Sequence, residues 1–458
     1  ALPPQFDVRV FDGILEGGDR ALRRCLTDFQ PDVVAVTCYI NGVDEVGRIF
    51  AAARTVAPRA LRVVGGVHAT LNSEDFVKVG PDVLVAGEGT FTFRDLCVAW
   101  RDAGPSGLGG IPGTALFNGA GFDFAAPRPW PSPDDVPMAR RELVRRHWPQ
   151  YYYIYHRPCF MLKTAFGCPY TCGFCYCWKI TGGAYQYASP ERVVDELASM
   201  WARDAYIVDD DFLLHPERLE RFCELMEQRR VKKGFFCYGR ADFISNYPDL
   251  ITRLSRVGMK AVVVGVESFS RRELTYYHKQ SHEEHNARCF DTLRRADVDV
   301  YASFILSPDW GLEDFREMQQ YIYRHRLYYV ILQPLMPLPG TDIWQEWKDQ
   351  VIIDRDHHSL WDISHLCLPS RLPMEVYYRE MIKLYLRTTL DLRRLPGLKL
   401  RTLPPLWSPQ IPRNVWGAAK ILWQLAHAPA RYRPGEVARY RAGMARPIAK
   451  SEPGAPSC

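Results

Sequence analysis

The sequence has no run approaching the roughly 18 apolar residues that a membrane-spanning helix needs, and it opens without the basic and apolar blocks of a secretory leader. The first absence excludes an integral helical membrane protein. The second, together with an odd count of 13 cysteines, argues against a disulfide framework and for a cytoplasmic setting. No segment repeats at a fixed period, which removes solenoids and propellers. Hydrophobic residues at 47% and charged residues at 24% exclude a disordered or collagen-like chain. What remains is a globular protein of 458 residues. At roughly 150 residues per domain, that length predicts about three domains.

Net charge is +5, from 58 Lys and Arg against 53 Asp and Glu, but it is unevenly spread. Between Arg393 and Lys450 there are 12 basic residues and one acid, Glu436, so the rest carries 46 basic and 52 acidic residues, a net of −6. A basic tail suits a polyanion, a membrane surface or a charged substrate. No RNA-binding motif is present, so nucleic acid is not expected as a partner. Within the tail, Asn414 to His427 is amphipathic: Val415, Ala418, Leu422 and Leu425 share a face, Trp416 and Trp423 flank it, and Arg413 and Lys420 are basic. Such a helix fits either a membrane interface, which would make the protein peripheral to the membrane, or a core-facing position.

Strand–helix alternation fills the first hundred residues. Val8–Phe11, Val33–Thr37, Leu61–Val64 and Val83–Ala86 read as strands, with Asp19–Phe29 and Val43–Val56 as helices. This predicts a parallel, doubly wound α/β sheet. Ligands of such sheets sit at the carboxyl ends of the strands. Those ends read Thr37-Cys38-Tyr39, Gly65-Gly66-Val67-His68 and Gly87-Glu88-Gly89-Thr90. Glycines there admit a large flat or phosphorylated ligand close to the backbone, and tight βα turns use them equally well. The pattern is entered at what reads as the second strand of the domain, so the first strand and helix are expected to be missing.

Residues 103–158 are rich in Gly and Pro and read as a linker, followed at its end by an aromatic cluster, Tyr151, Tyr152, Tyr153 and Tyr155. From Met161 the alternation resumes: Ala205–Val208, Gly234–Tyr238, Ala261–Val266, Val300–Leu306 and Tyr328–Leu332 read as strands, and Pro216–Arg229 and Ser281–Arg295 as helices. Five or six such units predict a full or partial βα barrel. The expected plan is a doubly wound domain over 1–125, a linker over 126–158, a barrel over 159–345 and a mostly helical, basic region over 346–458.

One segment carries chemistry on its face: Gly167-Cys168-Pro169-Tyr170-Thr171-Cys172-Gly173-Phe174-Cys175. A structural zinc site uses four ligands, commonly in C-x2-C pairs. Three thiolates on a [4Fe–4S] cluster leave one iron open to an exogenous ligand. A zinc knuckle and a chance match are the competing readings.

CxxxCxxC with an aromatic, Phe174, before its last cysteine, on the first strand–loop of a βα barrel, resembles the radical SAM superfamily. The resemblance implies that Cys168, Cys172 and Cys175 hold a [4Fe–4S] cluster. Its open iron would bind S-adenosylmethionine, and one-electron reduction would release methionine and a 5′-deoxyadenosyl radical. Ile207-Val208-Asp209-Asp210-Asp211-Phe212 is similar to the second-strand motif that holds the methionine amino group. Arg240 ends the next strand where a polar contact is usual, and Gly265-Val266-Glu267-Ser268 is similar to the strand that approaches the ribose and carboxylate. The implied SAM contacts are therefore Phe174, Asp209, Asp210, Arg240, Glu267 and Ser268. Without the resemblance, Asp209–Asp211 reads as a divalent-metal site or helix cap, and Glu267 as a buried structural acid.

A doubly wound domain before such a barrel resembles the cobalamin-binding class, which includes radical methyltransferases and the anaerobic magnesium-protoporphyrin ester cyclase. The implied cobalamin contacts are Thr37, Tyr39, Gly65, Gly66, His68, Gly87, Glu88, Gly89 and Thr90. The D-x-H-x-x-G motif that supplies an axial histidine in many cobalamin proteins is not found, and His68 reads as a pocket wall or as a cobalt ligand. His215-Pro216-Glu217, Pro308-Asp309-Trp310 and Leu368-Pro369-Ser370-Arg371-Leu372-Pro373 look similar to the hopanoid C-3 methyltransferase type.

The implied activity is methylation of an unactivated carbon of a small molecule or lipid, through the 5′-deoxyadenosyl radical and methylcobalamin, with electrons from a flavodoxin- or ferredoxin-type donor. An unactivated C–H bond offers no proton to a side-chain base, so no catalytic side chain is assigned and the cofactors carry the chemistry. The alternatives are a non-methylating enzyme of oxidative-cyclase type and a cobalamin- or redox-sensing binding protein. Cys177 reads as a bystander, and His282-Glu283-Glu284-His285 as helix surface.

Overall fold

The computed structural model describes residues 1–154, 156–389 and 410–443. Tyr155, Pro404-Pro405, Pro409 and the basic residues Arg393, Arg394, Lys399, Arg401, Arg446 and Lys450 lie outside the described residues. The chain forms two units. Among the described residues, the first holds 1–148 with the short segments 176–186 and 355–362; the second holds 149–154, 156–175, 187–354, 363–389 and 410–443.

The first unit is a five-stranded sheet in the order β1 (Val33–Thr37), β2 (Leu61–Gly65), β3 (Val83–Val85), β4 (Thr114–Phe117), β5 (Phe122–Phe124). β1, β2 and β3 are parallel; β4 and β5 run antiparallel as a hairpin. One face buries Val34, Val64 and Leu84 against Leu22 and Leu26 of the helix Asp19–Phe29 and Val43, Val46 and Phe50 of the helix Val43–Val56. The other buries Leu61, Val63, Val83 and Val85 against Leu96 and Trp100 of the helix Gly89–Ala103. With helices on both faces, the sheet is doubly wound.

Two expectations are corrected here. Val8–Phe11 is not a strand. A strand needs a neighbour about 4.8 Å away, and Phe6–Arg9 instead line a cavity of about 700 Å³ shared with Pro31, Asp32, Val33 and Ala35 along the outer edge of β1. Part of the Gly- and Pro-rich stretch 103–158 is sheet rather than linker, because β4 and β5 pair there across a tight turn in which Asn118 accepts from the Gly121 amide.

The second unit is a six-stranded parallel sheet with its strands in chain order: β6 (Cys159–Leu162), β7 (Asp204–Ile207), β8 (Gly234–Gly239), β9 (Met259–Glu267), β10 (Asp299–Leu306) and β11 (Tyr329–Pro334). Helices such as Pro216–Gln228 and Glu283–Arg295 make the crossovers, giving a partial βα barrel. Alternation along β8 shows the two faces. Phe235 packs edge-on against Phe222 of the helix layer, whereas Phe236 stacks with Tyr206 and with Tyr153 from the preceding segment. Tyr153, Tyr206, Phe236 and Tyr301 thus fill one layer of the inner face. On the same face, Met161, in register with Tyr206, and Tyr238, two residues beyond Phe236, are 69% and 39% exposed.

Beyond the barrel the described chain is mostly helical, as expected. The Pro308 and Leu368–Pro373 segments, read separately in the sequence, meet: the Arg371 amide donates to the Pro308 carbonyl at 2.8 Å, and Tyr377 donates to the Ser307 carbonyl at 3.1 Å.

Candidate cofactor sites

The cysteine loop follows β6 and is fixed at several points of its backbone. The Gly173 amide donates to the Tyr277 carbonyl at 3.1 Å, the Gly173 carbonyl accepts from Ile343 at 3.1 Å, and the Cys175 amide donates to the Cys172 carbonyl at 3.0 Å. The Tyr170 ring lies 3.6 Å beneath the Arg240 guanidinium, and Phe174 meets Tyr277 edge-on at 5.6 Å. Cys172 is buried, with Cys168 and Cys175 half-buried. Burial pushes the Cys168 thiol up to about 12 and raises that of Cys172, and the charge of Cys175 raises both further. Each thiol must lose its proton to bind iron. Among the described residues no three His, Cys, Asp or Glu converge on a single ion.

The acids after β7 divide. Asp209 is fully buried and accepts from the amides of Thr164 (2.6 Å) and Ala165 (2.9 Å) and from the Thr164 hydroxyl, to which Arg218 also donates at 2.6 Å. Asp210 stays partly open, 3.6 Å from Lys163. Asp211 is buried and accepts from the Leu213 amide; burial lifts its carboxyl to about 8, against the pull of Arg240 and Lys279. Arg240 is buried against Asp242 at 3.0 Å and the Lys279 carbonyl at 2.7 Å. Glu267 pairs with Lys279 at 2.9 Å. The Ser268 hydroxyl donates to Glu273 and accepts from the Ser270 amide.

In the first unit, the turns after β1, β2 and β3 stand side by side. Thr37 and Tyr39 are exposed, Tyr39 by 59%. Gly66 has φ +99°, and a Cβ there would stand 2.8 Å from the Cys38 nitrogen, so only glycine fits the turn. Gly87, at φ +75°, faces open space. Glu88 caps the helix Gly89–Ala103 by accepting from the Thr90 amide, and Gly65 ends β2. His68 is buried: its Nε2 is 2.7 Å from Asp75, its Nδ1 3.4 Å from Asn72, and Asp75 in turn pairs with Arg355.

Residues 162–322 match the family described as Radical SAM superfamily, and residues 5–97 match the B12 binding domain. The chain is a cobalamin-binding member of the radical SAM superfamily. It is similar to the hopanoid C-3 methylase of Methylococcus capsulatus, 26% identical over 381 residues that cover 82% of this chain and 72% of that one. It is also similar to the anaerobic magnesium-protoporphyrin IX monomethyl ester cyclase of Cereibacter sphaeroides, 27% identical over 348 residues, 71% of this chain and 55% of that one. Among solved structures, the fold matches the radical SAM methyltransferase TsrM of Kitasatospora setae with a TM-score of 0.65 at 16% identity, covering 96% of this chain and 94% of that one.

The residues present fit the superfamily's cofactors. The cysteine loop offers three thiols on an anchored backbone, the number that a [4Fe–4S] cluster with one open iron takes. The Gly66 and Gly87 turns beside exposed Thr37 and Tyr39 form a surface that a corrin can approach closely. Both ring nitrogens of His68 have partners inside the unit. Of the expected SAM contacts, Asp210 is the most open. Asp209, Arg240, Glu267 and Ser268 are buried with protein partners, and Phe174 is half-buried against Tyr277. Sequence reasoning missed Tyr170, Asp211, Lys279 and Tyr277. Tyr170 and Asp211 lay inside motifs already singled out; Lys279 and Tyr277 carried no signal.

Proposed function

We propose that the protein is a cobalamin-dependent radical SAM methyltransferase that methylates an unactivated carbon of a small-molecule or lipid substrate. The observation that carries this reading is the presence in one chain of an anchored three-cysteine loop and a B12-type set of glycine turns. When bound, the cluster with SAM supplies a 5′-deoxyadenosyl radical, and cobalamin supplies the methyl group. The chain's own residues hold the cysteine loop through Gly173 and Tyr170, keep the strand ends rigid, and present Met161 and Tyr238 on the inner barrel face. A flavodoxin- or ferredoxin-type donor would deliver the electron.

A lipid substrate is supported by the helix Gln410–His427. Leu425 is buried, but Val415, Trp416, Ile421 and Trp423 are 51–73% exposed near a tail rich in arginine. Exposed tryptophans beside basic residues suit a membrane interface, and no described helix is long and apolar enough to cross a bilayer. Cosedimentation with anionic vesicles, lost in a Trp416→Ser/Trp423→Ser variant, is the expected result; equal recovery without lipid would remove the membrane contact.

The activity is tested with anaerobically reconstituted protein, cobalamin, a low-potential reductant, methyl-labelled SAM and a lipid-plus-metabolite extract. S-adenosylhomocysteine and 5′-deoxyadenosine rising together, with label in a new species, is the expected outcome. Deoxyadenosine alone would replace methylation by the cyclase-type reading. Cobalamin binding without SAM turnover would point to a sensor.

A further inference from the structure

We propose that Arg355 is a positioning residue for cobalamin: it grips the far end of the short helix Val67–Leu71, which ties together the turns after β1, β2 and β3. The proposal rests on the reading that cobalamin lies against those turns.

The three turns meet at this helix. Gly66, at φ +99°, leads into it from β2. The His68 amide donates to the Cys38 carbonyl at 3.1 Å, which fastens the turn after β1. The Thr70 hydroxyl donates to the Gly66 carbonyl at 2.9 Å and accepts from the Gly87 amide at 3.0 Å, which fastens the turn after β3. A helix of five residues does not hold its shape alone, so its position depends on its anchors.

The anchor at the far end comes from 280 positions beyond Asp75 in the chain. Arg355 Nε donates to both Asp75 oxygens at 3.1 Å, and Nη2 donates to Asn72 at 2.9 Å and lies 2.9 Å from Asp75. Asp75 is also 2.7 Å from His68 Nε2, so one carboxylate joins the guanidinium to the helix. The Asp75 and His68 side chains are only 7% and 5% exposed, which lifts this contact above an ordinary surface ion pair. A second contact holds the segment down: His358 Nδ1 lies 2.8 Å from Asp44, in the first turn of the helix Val43–Val56. His358–Leu360 lies against Ile40–Gly42, the turn that follows Tyr39. The segment 355–362 thus reaches from the turn after β2 to the turn after β1 inside the first unit. A planar guanidinium can hold a carboxylate and an amide oxygen together, which a single ammonium cannot match. Turns fixed in advance lower the ordering cost of binding.

The test titrates the full-length wild type, Arg355→Met, Arg355→Lys and Leu26→Ala with hydroxocobalamin, read by visible absorbance. Amide exchange and the urea unfolding midpoint are measured on the same samples without cobalamin. Leu26→Ala removes core packing from the helix Asp19–Phe29 and serves as the purely structural control. A wild type that binds no hydroxocobalamin overturns the cobalamin-surface reading and the role of Arg355 with it. With binding established, Arg355→Met should bind about tenfold more weakly, and the His68 and Gly87 amides should exchange faster. Arg355→Lys should bind about threefold more weakly. Leu26→Ala should lose stability and keep its affinity within about twofold. Affinity within about twofold of wild type in Arg355→Met, or an equal loss in Leu26→Ala at the same loss of stability, overturns the proposal and leaves the cobalamin reading intact. Weaker binding without faster exchange at the two amides overturns it as well, because Arg355 would then contact the ligand directly. If Arg355→Met does not fold, Arg355→Lys decides: weaker binding with faster exchange at both amides supports the proposal, and unchanged affinity overturns it.

Discussion

Replacing Asp209 separates a brace from a ligand contact. The carboxylate sits at 0% exposure and accepts two backbone amides, Thr164 at 2.6 Å and Ala165 at 2.9 Å, plus the Thr164 hydroxyl. Asp209→Ala leaves both amides without an acceptor where no water reaches. Each orphaned donor costs about 1–3 kcal/mol, so the loss should be about 4 kcal/mol. Arg218, itself buried and bonded to Thr164, loses its nearby counter-charge as well. Asp209→Asn keeps a carbonyl oxygen for the two amides and an NH₂ that the Thr164 hydroxyl can accept, so it should cost only about 1–2 kcal/mol. The assay is urea unfolding of the iron-free chain by circular dichroism. The midpoint of the transition that involves the second unit is the quantity compared, since a two-unit chain need not unfold in one step. SAM affinity of the reconstituted protein is measured in parallel by equilibrium dialysis. The reasoning fails if Asp209→Ala unfolds within about 1 kcal/mol of wild type yet loses SAM binding, because the carboxylate would then be spent on the ligand.

Gly87→Ala places a methyl group in open space at φ +75°, so stability should fall by only about 1–2 kcal/mol while cobalamin affinity, read from visible absorbance, drops at least tenfold. Gly66→Ala adds a backbone clash 2.8 Å from Cys38 to its strain and should lower stability beyond that, by about 3 kcal/mol. In the iron-free chain, the Asp211 carboxyl is lifted by burial to about 8, so the folded state holds a proton that the unfolded chain gives up near pH 4. Its contribution is full below about pH 4 and is lost as the pH climbs to about 8, so denaturant stability should decline over that window. Asp211→Asn should flatten the decline. Alanine at Cys168, Cys172 or Cys175 should each abolish cluster absorbance and iron, whereas Cys177→Ala, on the short helix Cys177–Ile180 of the first unit, should keep both.

How far the sequence could be read follows from where each signal is stored. The cysteine loop was legible because three identical ligands fall within eight residues, and the doubly wound sheet because helices such as Asp19–Phe29 and Val43–Val56 announce themselves by period. Val8–Phe11 has the composition of a strand but no partner, and pairing is a tertiary fact that propensity does not encode. The β4–β5 hairpin did carry a local mark, Asn118-Gly119 between two aromatic runs, which the surrounding Gly and Pro obscured. The three acids after β7 were visible as a group, but their assignment was not. Past the last paired residue, Ile207, no alternation says which carboxylate turns inward, and it is contact with Thr164 that commits Asp209. Lys279 left no trace at all, because its pairing with Glu267, twelve positions earlier, is a tertiary contact that no local pattern announces.

Four residues read from the sequence as SAM contacts have protein partners: Asp209 with Thr164, Arg240 with Asp242, Glu267 with Lys279, Ser268 with Glu273. This division of labour has a physical logic. A radical formed next to a substrate reacts with whatever hydrogen lies within reach, so selectivity depends on holding the reacting partners to within a fraction of an ångström. Polar side chains left free to reorient toward a ligand would supply affinity and sacrifice that rigidity. Paired and buried, they cost desolvation, but they lock the strand ends and the cysteine loop into one arrangement before any ligand arrives. Asp210 stays partly open, and Met161 and Tyr238 are exposed on the inner face.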